Sequence, residues 1–313
     1  MSDSRLGLAV RRIHLVGIGG IGLSAIARIL AAWGYVVSGS DLRASRITQE
    51  LNALGIRTFE GHAREQVGDA DLVVISSAVP EENPEVQAAQ ERGIPVVKRQ
   101  NLLGRMMAGS YGIAVAGTHG KTTTTAMISV MLARLGLDPT YIVGGIVTDL
   151  GGNAGAGVGP YFVVEADEYD RMFLGLTPWI ALLTNVEMDH PDYFRDLDDL
   201  RGAFGRYLAQ TPASSCIIAC VDSPEVRRLL TEQPLQARLL TYGASEQADF
   251  RVGEVAAESE RLYFEVHHRG ALWGAFTLAV PGRHNALNAT AAALAAAQRG
   301  VTPTQSALHL LAY

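Results

Sequence analysis

Only two cysteines occur in the 313 residues, Cys216 and Cys220. Four positions apart on one apparent strand they share a face, and with no second pair and no nearby histidine they read as buried thiols and not as metal ligands. The chain has no basic run and a formal net charge of −6, which argues against nucleic acid or an acidic membrane surface as the main partner. Long hydrophobic runs are missing as well. After Met1-Ser2-Asp3-Ser4-Arg5 only five mostly apolar residues, 6–10, precede Arg11-Arg12, too few for a signal-peptide core or a membrane span. The expectation is a cytoplasmic chain without membrane insertion. There is no short-period repeat, and no low-complexity tract beyond the alanine-rich stretch 289–297.

The composition that remains, 48% hydrophobic and 19% charged, supports large buried cores, and the length suits about two domains of roughly 150 residues each. In the first half, strand-like runs at 36–38, 72–76 and 96–98 alternate with helical ones at 47–54, 84–92 and 102–107. That alternation predicts a parallel, doubly wound sheet. Met107-Ala108-Gly109-Ser110 reads as a linker, giving domains 1–109 and 110–313. Near-continuous apolar runs at 161–164, 180–183 and 217–220 predict parallel strands buried on both faces, and the polar–apolar alternation over 250–278 predicts an antiparallel ribbon on the flank. The fold expected is α/β: an N-terminal Rossmann-like parallel-sheet domain, then a P-loop ATPase-type α/β domain with a small antiparallel flank.

Two glycine motifs stand between a strand and a helix. In the second half, apolar residues 113–116 run into Gly117-Thr118-His119-Gly120-Lys121-Thr122-Thr123, followed by a helical pattern over 126–135. Backbone N–H groups at such a helix start face an anion, Lys121 adds charge for the β/γ-phosphates, and the Thr122 hydroxyl suits Mg²⁺. ATP is the expected ligand, although Val115 stands where the ordinary G-x-x-x-x-G-K-[ST] loop has its first glycine. In the first half, strand 13–16 leads into Gly17-Ile18-Gly19-Gly20-Ile21-Gly22 and a helix over 23–33. A further strand, 35–38, is followed by Asp41, nineteen residues beyond Gly22 and placed for a ribose hydroxyl. Alone this pattern indicates NAD, yet a UDP-sugar presents the same pyrophosphate and ribose.

Two clusters follow buried strands, at the carboxyl ends where α/β proteins keep their chemistry. Glu165 ends an apolar strand, so its carboxylate is expected to face the nucleotide, where a hard cation would neutralise it. For Asp167, Glu168 and Asp170, a solvated acidic turn is as good a reading as a functional one. The second cluster runs from Thr184 through Asn185, Glu187, Asp189 and His190 to Phe194. There His190 is a candidate second-metal ligand or phosphate orienter, against the commoner capping or surface histidine.

With these motifs the chain resembles the Mur ligases of bacterial cell-wall synthesis, most closely the branch that adds L-alanine. The resemblance rests on the 17–22 glycines with Ser38-Gly39-Ser40-Asp41, on Ser76-Ser77-Ala78-Val79-Pro80, and on the loop 117–125. It continues through 165–170 and 185–190 to Pro281-Gly282-Arg283-His284-Asn285-Ala286-Leu287-Asn288-Ala289, in the family's order and across essentially the whole chain. It implies that the first domain holds UDP-N-acetylmuramate, with Gly17, Gly19, Gly20 and Gly22 around the pyrophosphate and Asp41, Ser76, His119 and Asn153 near this substrate. It implies an ATP site of Gly117, Thr118, His119, Gly120, Lys121, Thr122 and Thr123, with Asn285 and Asn288 reaching adenine. Thr122 and Glu165 would hold a first Mg²⁺ and His190 serve a second, so that Lys121, Glu165 and His190 carry catalysis. His119 and Asn153 have equally plain readings, as a pinned loop histidine and a Gly-Gly-Asn turn.

The activity implied is ATP-dependent joining of L-alanine to the lactyl carboxylate of UDP-N-acetylmuramate through an acyl phosphate. Family members continue into a third domain that supplies the amino-acid pocket, and this chain stops at Tyr313; a two-domain fragment with little or no ligase activity is therefore expected. Three alternatives stay open: the related ligase that reattaches recycled tripeptide, an NAD-dependent oxidoreductase, and a non-catalytic UDP-sugar-binding module.

Overall fold

A strand buried on both faces must carry apolar side chains on both, and the sequence supplies such runs at 72–74, 113–116, 161–164, 180–183 and 216–220 of the computed structural model, which describes residues 5–258 and 260–310. The chain divides into two compact units. One runs through Ala108 and includes Asn153–Ala156; the other comprises Gly109–Gly152 and the chain from Gly157 onward.

The first unit contains β1 (Arg12–Val16), α1 (Ile21–Ala32), β2 (Val36–Asp41), α2 (Arg46–Ala53), β3 (Arg57–Glu60), β4 (Leu72–Ile75), α3 (Pro84–Glu91), β5 (Val96–Lys98) and α4 (Arg99–Met107). Its five strands are all parallel, in the order β3-β2-β1-β4-β5, which matches the first five strands of the 3-2-1-4-5-6 doubly wound dinucleotide-type sheet, with β1 and β4 at the switch point. Ile13, Leu15 and Val16 of β1 and Leu23, Ile26 and Leu30 of α1 are buried. β2 extends three residues beyond the expected strand, through Asp41, because Gly39 and Ser40 pair with β1 on one side and β3 on the other. Residues 108–110 form a turn after α4.

The rest of the chain forms β6 (Tyr111–Ala116), α5 (Lys121–Arg134), β7 (Thr140–Val147), β8 (Gly152–Gly155, of which Asn153–Gly155 are grouped with the first unit), β9 (Tyr161–Glu165), β10 (Ile180–Leu183), α6 (Leu197–Ala209), β11 (Cys216–Cys220), α7 (Pro224–Glu232) and β12 (Arg238–Gly243). These are followed by β13 (Phe250–Glu258), β14 (Arg261–His268), β15 (Ala271–Leu278), α8 (Arg283–Ala297) and α9 (Pro303–Leu310). The ten strands lie in the order β15-β14-β13-β12-β11-β10-β6-β9-β7-β8. The central strands are parallel, and β13–β14–β15 form the antiparallel flank. α5 is buried nearly all round, and two of its buried hydroxyls bond back along the helix: Thr125 donates to the Lys121 carbonyl and Ser129 to the Thr125 carbonyl. Opposite it α8 presents alanines 289, 291–293, 295 and 296, all buried, small enough for close helix approach. Residues 1–4 and 311–313, on which the leader and chain-end readings bear, lie outside the described residues.

Cys216 and Cys220 are buried free thiols. Burial pushes both thiols up, Cys220 to about 11, so the reactive thiolate is scarce as well as shielded. A thiol-alkylating reagent at neutral pH should leave both unlabelled in the native protein and modify both after denaturation, read by intact mass.

Candidate functional site

All five strands of the first unit deliver residues to one crevice at their carboxyl ends, with a volume of about 670 Å³. Gly17, Gly20 and Gly22 come from the turn after β1, Asp41 from the end of β2, His62 from beyond β3, Ser76 and Val79 from beyond β4, and Arg99 from the residue after β5. The glycines are there because neighbours occupy the space a side chain would need. A Cβ on Gly17 would lie 3.1 Å from Ser76 Oγ, one on Gly19 2.8 Å from Asp41 Oδ2, and one on Gly22 would overlap the Arg99 guanidinium. Asp41 accepts the Gly19 N–H at 2.9 Å, so it braces the glycine turn as well as facing the crevice. Sequence reasoning missed Arg99 and His62. Neither lies in a glycine motif, and only the strand order brings them beside it.

In the second unit the turn after β6 is shaped by Gly117, at φ +130°, and Gly120, at φ +83°. The loop following β10 clamps it. The Thr118 N–H donates to the Asn185 carbonyl (3.1 Å), the His119 N–H to Asn185 Oδ1 (2.8 Å), and the Thr184 hydroxyl to the His119 carbonyl (2.6 Å). α1 and α5 begin on Gly20 and Gly120 without a side-chain cap, whereas Ser45, Asn83, Asp196 and Ser223 cap α2, α3, α6 and α7. At both glycine turns the outward N–H groups of the first helical turn are left for an anion.

Lys121 folds back over its own loop. Its Nζ donates to the Gly117 carbonyl at 2.6 Å and lies 2.9 and 2.8 Å from the two oxygens of Glu168. The Glu168 side chain is fully buried, which decides against the solvated-turn reading for this residue: the chain after β9 turns inward and delivers the carboxylate under the lysine. Glu165, at the end of β9, accepts the Gly144 N–H at 2.6 Å and bonds to Thr122. Gly144 must lack a side chain, since its Cβ would sit 2.6 Å from Glu165 Oε2, and Gly145 lies against the Thr122 methyl. This glycine pair in β7 went unrecognised in the sequence because strand glycines carry no ligand signal of their own. Burial raises both carboxyls above the ordinary 4.5, for Glu165 against the Gly144 and Thr122 bonds and for Glu168 against the Lys121 charge.

Ligand atoms of Asp167, Glu168 and His190 lie within 4.8 Å of one another. His190 rests edge-on against Tyr169 and holds φ +53°, as do Asp170 and Arg171. Three non-glycine residues in the left-handed region around one cluster are the kind of strain that surrounding structure must hold in place. Hard oxygen donors at Thr122 and Glu165, with the mixed cluster beside them, suit a small divalent cation. His119 is exposed and its Nε2 lies 3.7 Å from Glu187. Asn288 borders Gly120, whose Cβ would sit 2.7 Å from its Oδ1; its amide donates to Asn285, and the Asn285 amide to the Pro281 carbonyl. Asn153 lies in β8, among the residues grouped with the first unit.

Fold and loops together define an α/β protein with one glycine-built anion cradle in each unit, the second armed with a lysine and carboxylates. Residues 12–111 match the Mur ligase family, catalytic domain, and residues 115–296 the Mur ligase middle domain. The chain belongs to the Mur ligase family. It is 49% identical over 283 residues to a UDP-N-acetylmuramate–L-alanine ligase of Syntrophotalea carbinolica and 43% identical over 304 residues to one of Chlorobium phaeobacteroides, covering 90% and 97% of this chain. It spans 61% and 65% of the length of these two relatives. A solved UDP-N-acetylmuramate:L-alanyl-gamma-D-glutamyl-meso-diaminopimelate ligase from Neisseria meningitides superposes with a TM-score of 0.88 at 30% identity, covering 97% of this chain and 98% of that one. A UDP-N-acetylmuramate-alanine ligase from Thermotoga maritima superposes at 0.80 with 31% identity, covering 96% and 67%.

Gly117→Ala would force a side chain onto Thr184 Oγ1 at a φ that L-residues avoid; it should destabilise the second unit by about 2 kcal/mol or more, measured by denaturant unfolding. A pH test isolates Glu165. A carboxyl raised on folding binds its proton more tightly in the native state, so its contribution to stability is best below 4.5 and is lost as pH rises through the raised value. Glu165→Gln should therefore lose less melting temperature than the wild type between pH 4.5 and neutrality, both measured with chelator and without nucleotide.

Proposed function

We propose that the chain carries the UDP-sugar and ATP sites of a ligase that joins L-alanine to the lactyl carboxylate of UDP-N-acetylmuramate in peptidoglycan precursor synthesis. The observation that carries this reading is the convergence of Lys121, Thr122, Glu165, Glu168 and His190 on one glycine turn, in a chain whose relatives bear that enzyme's name. The names of these relatives, at 43–49% identity, favour L-alanine over recycled peptide.

In this reading the first unit, residues 1–109 in the sequence-based division, holds the UDP moiety. Gly17, Gly19, Gly20 and Gly22 shape the turn that lets the backbone and the first N–H groups of α1 approach the pyrophosphate, Arg99 supplies its countercharge, and Asp41 and Ser76 flank it. The second unit binds ATP on 117–123, with Asn285 and Asn288 at the adenine end. The lactyl carboxylate oxygen attacks the γ-phosphorus and ADP departs with the bridging oxygen; the amine of L-alanine then attacks the acyl carbon, phosphate leaves and the nitrogen loses a proton. Such a transfer depends on alignment and charge neutralisation more than on covalent help. Lys121 holds its ammonium where the β/γ-phosphates would lie, and the first N–H groups of α5 orient them. Thr122 and Glu165 would hold one Mg²⁺ and His190 another, which when bound neutralise phosphate charge. The reaction belongs in the cytoplasm, where Cys216 and Cys220 stay reduced.

Isothermal titration tests this. The protein should bind UDP-N-acetylmuramate and not NAD⁺, and Lys121→Ala should lose binding of a non-hydrolysable ATP analogue with Mg²⁺. Arg99→Met should weaken UDP about tenfold while leaving uridine unchanged, since only the diphosphate needs the guanidinium. Binding of NAD⁺ alone would overturn the ligase reading.

A further inference from the structure

Beneath the crevice of the first unit lies a chain of polar groups that the proposed chemistry does not use. The Glu85 side chain, in the first turn of α3, is fully buried, as is that of His14 on β1. His14 Nε2 is 2.5 Å from Glu85 Oε2, and its Nδ1 is 2.9 Å from Ser38 Oγ. On the other carboxylate oxygen, Ser40 Oγ donates at 2.7 Å and His62 Nδ1 lies at 2.7 Å. Burial pushes the Glu85 carboxyl up, but the bonds from His14, Ser40 and His62 outweigh it and hold the group below its ordinary value. An ionised carboxylate only accepts, so both facing ring nitrogens donate to it: Nε2–H of His14 and Nδ1–H of His62.

That assignment has a consequence at the crevice wall. With its proton on Nδ1, a neutral His62 carries a bare lone pair on Nε2, and His62 lines the crevice with its side chain 15% exposed. Among the described residues no protein group bonds to that nitrogen. A lone pair repels phosphate oxygens and takes a hydroxyl or N–H. The glycine turn and Arg99 occupy the crevice after β1 and β5, whereas His62 follows β3, on the Asp41 side of the sheet.

We propose that His62 accepts a hydrogen bond from the nucleoside part of the bound ligand, a ribose hydroxyl or the base N–H, and that Glu85 is the positioning residue that fixes the His62 tautomer for it. The proposal rests on the UDP-sugar reading of this crevice. Glu85→Gln keeps size and packing but offers one acceptor and two donors, so one of the two histidines must reverse its tautomer, the fault produced when the triad aspartate of a serine protease becomes asparagine.

The test is calorimetric titration of wild type, His62→Ala and Glu85→Gln with UDP, 2′-deoxy-UDP and N3-methyl-UDP, alongside ¹⁵N NMR of the histidine rings. His62→Ala should weaken UDP about five- to tenfold. The penalty should vanish with whichever analogue lacks the donor His62 accepts from, which separates ribose from base. In the wild type the ¹⁵N spectrum of the neutral His62 ring should show its proton on Nδ1, before and after UDP is added. Glu85→Gln, if folded, should weaken UDP and move a histidine proton to the other nitrogen; if it does not fold, His62→Ala and the wild-type spectrum still decide. Wild-type affinity in His62→Ala, or a proton on His62 Nε2 in the wild-type complex, overturns this proposal alone. Failure of the wild type to bind UDP overturns it together with the reading of the crevice.

Discussion

The ion pair between Lys121 and Glu168 is the interaction on which the second unit's site turns. Both groups are largely withdrawn from water, the lysine side chain 14% exposed and the glutamate not at all. Taking two charges out of water costs several kcal/mol each, and mutual attraction recovers that only with close geometry and further bonds, here the Gly117 and Thr118 carbonyls on the lysine. As a source of stability such a pair is poor. As a placement device it is effective, because the ammonium is desolvated and positioned before any phosphate arrives. A phosphate oxygen of the proposed ATP would compete with Glu168 for the same N–H groups, and the carboxylate, raised by burial, is the partner more easily neutralised.

The same residues show why part of the site was legible in the sequence and part was not. Lys121, Thr122 and the glycines of both turns could be read because their function is tied to spacing along the chain: strand, turn and helix start must be contiguous. Glu165 could be read because it ends an apolar strand. Glu168, three positions on, could not, since the turn Tyr169–Gly175 with its left-handed Asp170 and Arg171 reverses the chain, and no local pattern announces that reversal. Arg99 and His62 depend on strand order. Each sits at the end of its own strand and gains a role only when the parallel sheet brings those ends together. The fold itself was more legible than the site, because burial on both faces leaves a mark on every residue of a strand, as in Ile180–Leu183; boundaries slipped where glycine and serine continue a strand, as in β2.

Several glycines far apart in sequence record the same demand for space. Gly22 makes room for the Arg99 guanidinium, Gly144 for the Glu165 carboxylate, Gly117 for the Thr184 hydroxyl and Gly120 for the Asn288 amide. Each has a polar group from another element in the volume its own Cβ would fill. A glycine costs backbone entropy on folding, and concentrating such positions at two strand ends weakens the scaffold where it must be most exact.

That weakness is offset by cross-bracing from other elements. Around the second turn, Asn185, Thr184 and Thr118 exchange bonds with the loop backbone; beneath the first, Glu85 ties together His14 on β1, Ser40 on β2 and His62 beyond β3. In each case a polar group that might have faced solvent is spent on holding a strand end in register. The arrangement explains why polar residues such as His14 and Glu85 sit in an interior that hydrophobic side chains could have filled. An apolar core holds strands side by side, but only directional bonds fix the rotation of an imidazole or the path of a glycine turn, and an anion cradle requires both.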